Sequence, residues 1–199
     1  MTPPTPATQH PTATEPGRSG APRRPGLATP MHPQVLGGIV GAVGASAFVL
    51  ANRTRLADPW PAVALVLWAV ALGAFAWVAL LRPRVLPALE RPSPGAGAVY
   101  GASVVGMFTL IAGGSAVLRS TGHADLQPSW VALAVGLHFL PFAAAFRAPV
   151  FRLLGAAVAV VAASGLVLGL LLGAWAAAAA AVLAGLVMLA VMTLDAWRD

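Results

Sequence analysis

The chain has 199 residues; 58% are hydrophobic, only 9% are charged, and the net charge is +6. A water-soluble domain carries roughly 25% charged residues, so most of this chain is composed for a medium that penalises charge. Cys is absent, which excludes disulfides, thiolate metal sites and cysteine nucleophiles, and Lys is absent, which excludes Schiff-base and Walker-type lysine chemistry.

Residues 1–33, MTPPTPATQHPTATEPGRSGAPRRPGLATPMHP, hold nine of the chain's 18 prolines and almost no large apolar side chain. Such a stretch buries too little surface to offset its ordering entropy, so it is expected to be a disordered cytoplasmic tail. It lacks the apolar core of about 7 to 15 residues that a signal peptide needs.

Six apolar spans follow, at approximately 34–51, 60–81, 97–118, 130–146, 151–172 and 174–194. A helix needs about 20 residues to cross ~30 Å of hydrocarbon, so each is long enough or nearly so. The last two spans are joined without a charged break. Residues 153–194 carry no charge until Asp195, and as one helix they would run ~63 Å, about twice the hydrocarbon thickness. The run must therefore turn back, at Gly173–Ala174–Trp175, where glycine relaxes the backbone and tryptophan favours the interface. The fold expected is all-α: a six-helix transmembrane bundle over 34–195, behind a proline-rich tail and ahead of a short cytoplasmic C-terminus, 196–199.

The twelve basic residues are all arginine. With the N-terminus inside, nine fall on the cytoplasmic side (Arg18, Arg23, Arg24, Arg82, Arg84, Arg91, Arg147, Arg152 and Arg198). Three, Arg53, Arg55 and Arg119, fall on the other. That asymmetry places both termini in the cytoplasm of a cell-membrane protein. The arginines stand singly or in pairs between apolar runs, which is not the interleaved basic surface that binds nucleic acid. Trp60, Trp130 and Trp175 fall at outer span ends, as half of an aromatic belt.

Helices in lipid have no hydrophobic drive toward one another, so close contact through small residues matters more. Gly37 and Gly41 are four apart in the first span, and Gly97 and Gly101 in the third. Gly165, Gly169 and Gly173 form a ladder in the fifth, answered in the sixth by Ala177, Ala181 and Gly185. Residues four apart share a helix face, so the tight turn is expected to bring these two seams together.

His138 is the one residue at mid-depth able to titrate. An imidazole in the bilayer needs a partner. Three readings compete: a structural imidazole bonded to a Ser, Thr or carbonyl, a proton-exchanging or substrate-binding group, and a haem or metal ligand. The other histidines, His10, His32 and His123, lie in the tail or by loops, so neither a metal nor a cofactor is expected. Pro141, three residues on, frees carbonyls near residues 137 and 138 and kinks the helix. Ser103 and Thr109, mid-span in the third helix, are the first partners to test. Ser46, Ser115, Ser164 and Thr193 have the option of bonding back to their own helices. No HExxH, GxSxG or phosphate-binding loop occurs.

The run GLHFLPFAAAF, Gly136 to Phe146, resembles a G-L-H-F-x-P run of small bacterial multi-pass membrane proteins. The likeness rests on Gly136, His138, Phe139, Pro141 and Phe146 and covers about one span. It implies a bacterial inner-membrane location and no particular activity. The reading is an integral membrane protein with a structural or interaction role. Its partners would be the bilayer and a second copy or another membrane protein. The alternative is a small proton-linked carrier using His138, and a membrane-embedded enzyme ranks third.

Overall fold

The computed structural model describes residues 24–84, 86 and 94–198. The fold is an all-α bundle of six helices, each long and apolar enough to cross a membrane. They are α1 (Pro33–Asn52), α2 (Trp60–Phe75), α3 (Ala96–Ser120), α4 (Gln127–Ala145), α5 (Val150–Leu172) and α6 (Ala174–Arg198), with α2 continuing as a π-helical turn over Ala76–Leu81. This is the architecture of a multi-pass membrane protein.

Proline begins several of these helices. Pro33, Pro61 and Pro128 stand in the first turns of α1, α2 and α4, where the missing N–H has no intrahelical partner to lose. The His32 ring accepts from the Gln34 N–H at the start of α1. The turn between α5 and α6 is a single residue, Gly173, at φ +100°, a conformation open to glycine and strained for other residues.

Two helices extend three or more residues beyond their apolar spans. Helix α4 starts three residues before Trp130, because Pro128 fits the first turn and Ser129 is buried with an interhelical partner. Helix α6 continues past Asp195 to Arg198, with Ala196 buried and the Arg82 guanidinium 4.6 Å over the Trp197 ring. The expected 196–199 terminus is therefore helical through Arg198.

Part of the proline-rich segment is also ordered. Gly26–Ala28 form a short 3-10 turn tucked against the π-helical end of α2. Arg24 and Arg84 exchange two backbone hydrogen bonds, of 3.0 and 3.2 Å. The disorder expected for residues 1–23 lies outside the described residues.

Helices consecutive in the chain alternate in direction, so α1 and α5 run antiparallel to α6 while α2 and α4 pack on it in parallel. Ser46 of α1 meets Trp68 of α2, and Gly38 meets Phe75. Gly136 of α4 lies on the backbone of Gly155 and Ala159 in α5. Gly165 and Gly169 of α5 face Ala180 and Ala177 of α6. Gly41 and Ala45 of α1 face Met192 and Gly185 of α6. The alternation puts Arg24 and Arg198 at one end of the bundle, the Arg53–Arg55 turn and Gly173 at the other.

Helix α6 is the centre. It packs against α1, α2, α4 and α5, and Ala177, Ala178, Ala181, Ala184 and Leu189 are fully buried. The small-residue ladder of α5 and α6 divides accordingly. Gly165, Gly169, Ala177 and Ala181 lie in the buried α4–α5–α6 core, and Gly173 makes the turn. Gly185 belongs to a different contact, against Ala45, Phe48 and Val49 of α1. Helix α3 is the outlier: among the described helices it packs on α4, and only 6% of its apolar window is buried.

At Gly185 a Cβ would stand 2.5 Å from the Ala45 carbonyl oxygen, whereas Gly37 has nothing within 4 Å. Gly185→Val is expected to overpack the α1–α6 contact and lower stability by about 1–3 kcal/mol. Gly37→Ala is expected to be neutral or to stabilise by up to ~1 kcal/mol. Unfolding of the two variants in detergent tests this; equal losses would mean that the α1–α6 approach is not close.

Candidate functional site

Helix α4 is a poor place for a proline, and Pro141 sits inside it. Proline removes the donor that would bond the Leu137 carbonyl and crowds the preceding turn. In that turn the His138 carbonyl accepts a bond from the Ser103 hydroxyl of α3, at 2.8 Å. Ser103 thus reaches His138 through the backbone, not through the ring.

The ring turns back along its own helix. Its Nδ1 lies 2.6 Å from the Val135 carbonyl oxygen, a separation that requires Nδ1 to carry the proton. In the neutral ring Nε2 is then the free acceptor. Phe139 and Phe142 stand 4.2 and 5.2 Å from the imidazole, centroid to centroid. Phe142 is buried at the middle of an aromatic group, beside Tyr100, Phe146 and Phe151. Edge and offset ring contacts of this kind add about 0.5–1.5 kcal/mol each beyond area burial. Tyr100 and Phe151 thereby tie α3 and α5 to α4 at this level.

Thr109 is placed differently. It lies exposed on α3 and returns its hydroxyl to the Val105 carbonyl of its own helix. Pro141 is exposed as well. Of the expected constellation, then, His138 and Ser103 are brought together, Pro141 acts through the backbone, and Thr109 faces away.

A second contact clasps α3 to α4. The Trp130 indole lies on Gly114, where a Cβ would overlap the ring, and its N–H donates to the Leu110 carbonyl at 2.8 Å. Trp130 therefore points at a neighbouring helix and is not a simple interfacial anchor. Ser129 beside it is fully buried and donates to the Ala177 carbonyl of α6 at 2.9 Å. Sequence reasoning passed over Ser129. The available signal was a serine next to a first-turn proline, in register with the glycine ladder of α5.

Chemically, the site offers one imidazole with one proton already committed. No carboxylate occurs in α3, α4 or α5. Among the described residues no group of three or more His, Cys, Asp or Glu is placed to hold a metal ion. Comparison with protein-family models, curated proteins and solved structures gave no match. The functional reading therefore rests on the geometry of the chain itself.

Two hydrogen bonds, from Ser103 and Trp130, link α3 to α4. In membranes such bonds average ~0.6 kcal/mol. Ser103→Ala and Trp130→Phe are each expected to lower stability by about that much, and the double variant to speed hydrogen exchange in α3 while leaving α6 protected. Unchanged α3 exchange in the double variant would show that ring packing alone holds the helix.

Proposed function

We propose that this chain is an integral protein of the bacterial cell membrane with an interaction role, both termini in the cytoplasm, and that it self-associates through the outer face of α3. The observation that carries this reading is the isolation of α3. Its inner face, with Ser103, Leu110 and Gly114, meets α4. Its opposite face carries Gly97, Gly101, Val105 and Phe108. The two glycines have nothing within 4 Å, and Val105 and Phe108 are 66% and 61% exposed. Small residues four apart let helix backbones approach closely in lipid, and a face that meets its own copy closes as a two-fold pair. The orientation is supported by charge. Six described arginines (Arg24, Arg82, Arg84, Arg147, Arg152 and Arg198) lie at the end that holds both ends of the described chain, against Arg53, Arg55 and Arg119 at the other.

The chain lacks cysteine, so a single introduced thiol reports cleanly. Gly101→Cys and Val105→Cys are expected to form intermolecular disulfides in membranes, and Val160→Cys, exposed on α5, is not. Equal crosslinking at all three sites, or none, would remove the α3 interface; capture of a different membrane protein at Gly101 would reassign it to that partner. Reporter fusions to the two ends are expected to read as cytoplasmic for both.

A second reading, a proton-linked carrier working through His138, is favoured by one observation. Nε2 makes no hydrogen bond to the described residues, although Nδ1 is bonded. For the interaction role, His138→Ala in proteoliposomes is expected to lower stability and leave proton flux unchanged. Loss of flux in a folded His138→Ala protein would establish the carrier instead.

A further inference from the structure

The first halves of α2 and α6 line an apolar cleft of about 570 Å³. Val63 and Leu67 of α2 and Val182 and Leu186 of α6 form its walls, with Leu56, Trp60 and Trp175 also in the lining. Along α6 the lining runs from Trp175 to Leu186. That is ~16 Å of helix, about half of a ~30 Å hydrocarbon layer. The cleft is therefore one leaflet deep. A partner helix would need a groove along the full span, whereas one acyl chain needs only this depth.

The turn that precedes Leu56 and Ala57 at one end of the cleft is basic. The Arg53–Arg55 turn packs against α1, α2 and α6 and leads directly into Leu56 and Ala57, both of which line the cleft. The Arg53 Nε is buried and has no hydrogen-bond partner among the described residues. Arg55 is exposed in the same turn. Asp58, exposed in this loop, leaves a net positive charge there. Guanidinium groups match phosphate oxygens in charge and in fork geometry. Trp60 and Trp175, 60% and 54% exposed, lie at the level where indoles settle beside lipid headgroups.

We propose that this cleft is a binding site for an anionic phospholipid: one acyl chain lies between α2 and α6, and Arg53 and Arg55 hold its phosphate. The site shares with the interaction role only the premise that the helices cross a bilayer. It lies on α2 and α6, apart from α3 and His138.

The full chain in nanodiscs tests it, with phosphatidylglycerol and phosphatidylcholine as the two probes and native mass spectrometry as the readout. The wild type is expected to retain one phosphatidylglycerol, with a preference of about tenfold over phosphatidylcholine, the scale of a charge-assisted contact. Arg53→Gln with Arg55→Gln is expected to bring the two lipids to near parity. Ala179→Phe, which fills the cleft, is expected to abolish retention of both; should that variant not fold, the arginine pair decides alone. Arg119→Gln, at the same end of the bundle but outside the cleft, is expected to change nothing. Four results would overturn the proposal: no lipid preference in the wild type, an equal loss in Arg119→Gln, displacement of the lipid by inorganic phosphate alone, or disulfide-linked dimers of Leu183→Cys. The last would make the cleft an interface between copies.

Discussion

A helix that touches four neighbours at once carries small residues where their backbones approach it. That constraint governs α6 and, through it, the bundle. Its alanine run from Ala176 to Ala181 is buried almost all round, and α1, α2, α4 and α5 all pack on it. In water an alanine-rich helix of this kind would bury little apolar area. In lipid, where burial itself drives nothing, the gain comes from close backbone approach and dispersion contact. The glycines of the surrounding helices follow from the same need. Gly165 and Gly169 admit the α6 alanines, and Gly136 admits the α5 backbone.

Several polar side chains follow a second rule of the bilayer, that a donor in the apolar layer takes the acceptor within reach, here a helix carbonyl. Ser103 serves the His138 carbonyl behind Pro141, Ser129 serves Ala177, and Trp130 serves Leu110. Ser46 links two such bonds, donating to Ala42 while accepting from the Trp68 indole. His138 belongs to this set through Nδ1. These residues mark where helices meet, and their density near α4 explains how a helix containing a proline holds its place in the core.

Packing is uneven as a result. The helices α1, α4, α5 and α6 form a close core. Helix α3 hangs on α4 by a tryptophan, a serine and an aromatic cluster, and an apolar cleft lies between the first halves of α2 and α6. Fully packed regions of a membrane bundle have nothing further to bind. The two places where this one is incomplete, the outer face of α3 and the α2–α6 cleft, are the places with capacity for a second chain and for lipid.

The sequence by itself determined the number of helices, their approximate limits and the turn at Gly173. Those follow from one local quantity, the run of about 20 apolar residues that a bilayer demands, and from the need to fold back a run twice that long. The alternation of the helices, with both ends of the described chain on one side, follows from the same count. What only the tertiary structure decided is which small residue meets which. Glycines and alanines four apart occur on nearly every helix, and the spacing alone carries no address. Gly185 shares a register with Ala177 and Ala181, yet it faces α1 because α6 is surrounded. The order of Gly26–Ala28 was likewise invisible in a proline-rich string, since the turn lies against the Ala79 backbone, some fifty residues away in the chain. His138 was legible as a residue that needs partners. That its carbonyl would take Ser103 and its ring would take Val135 depended on how α3 lies against α4, and no local pattern encodes that angle.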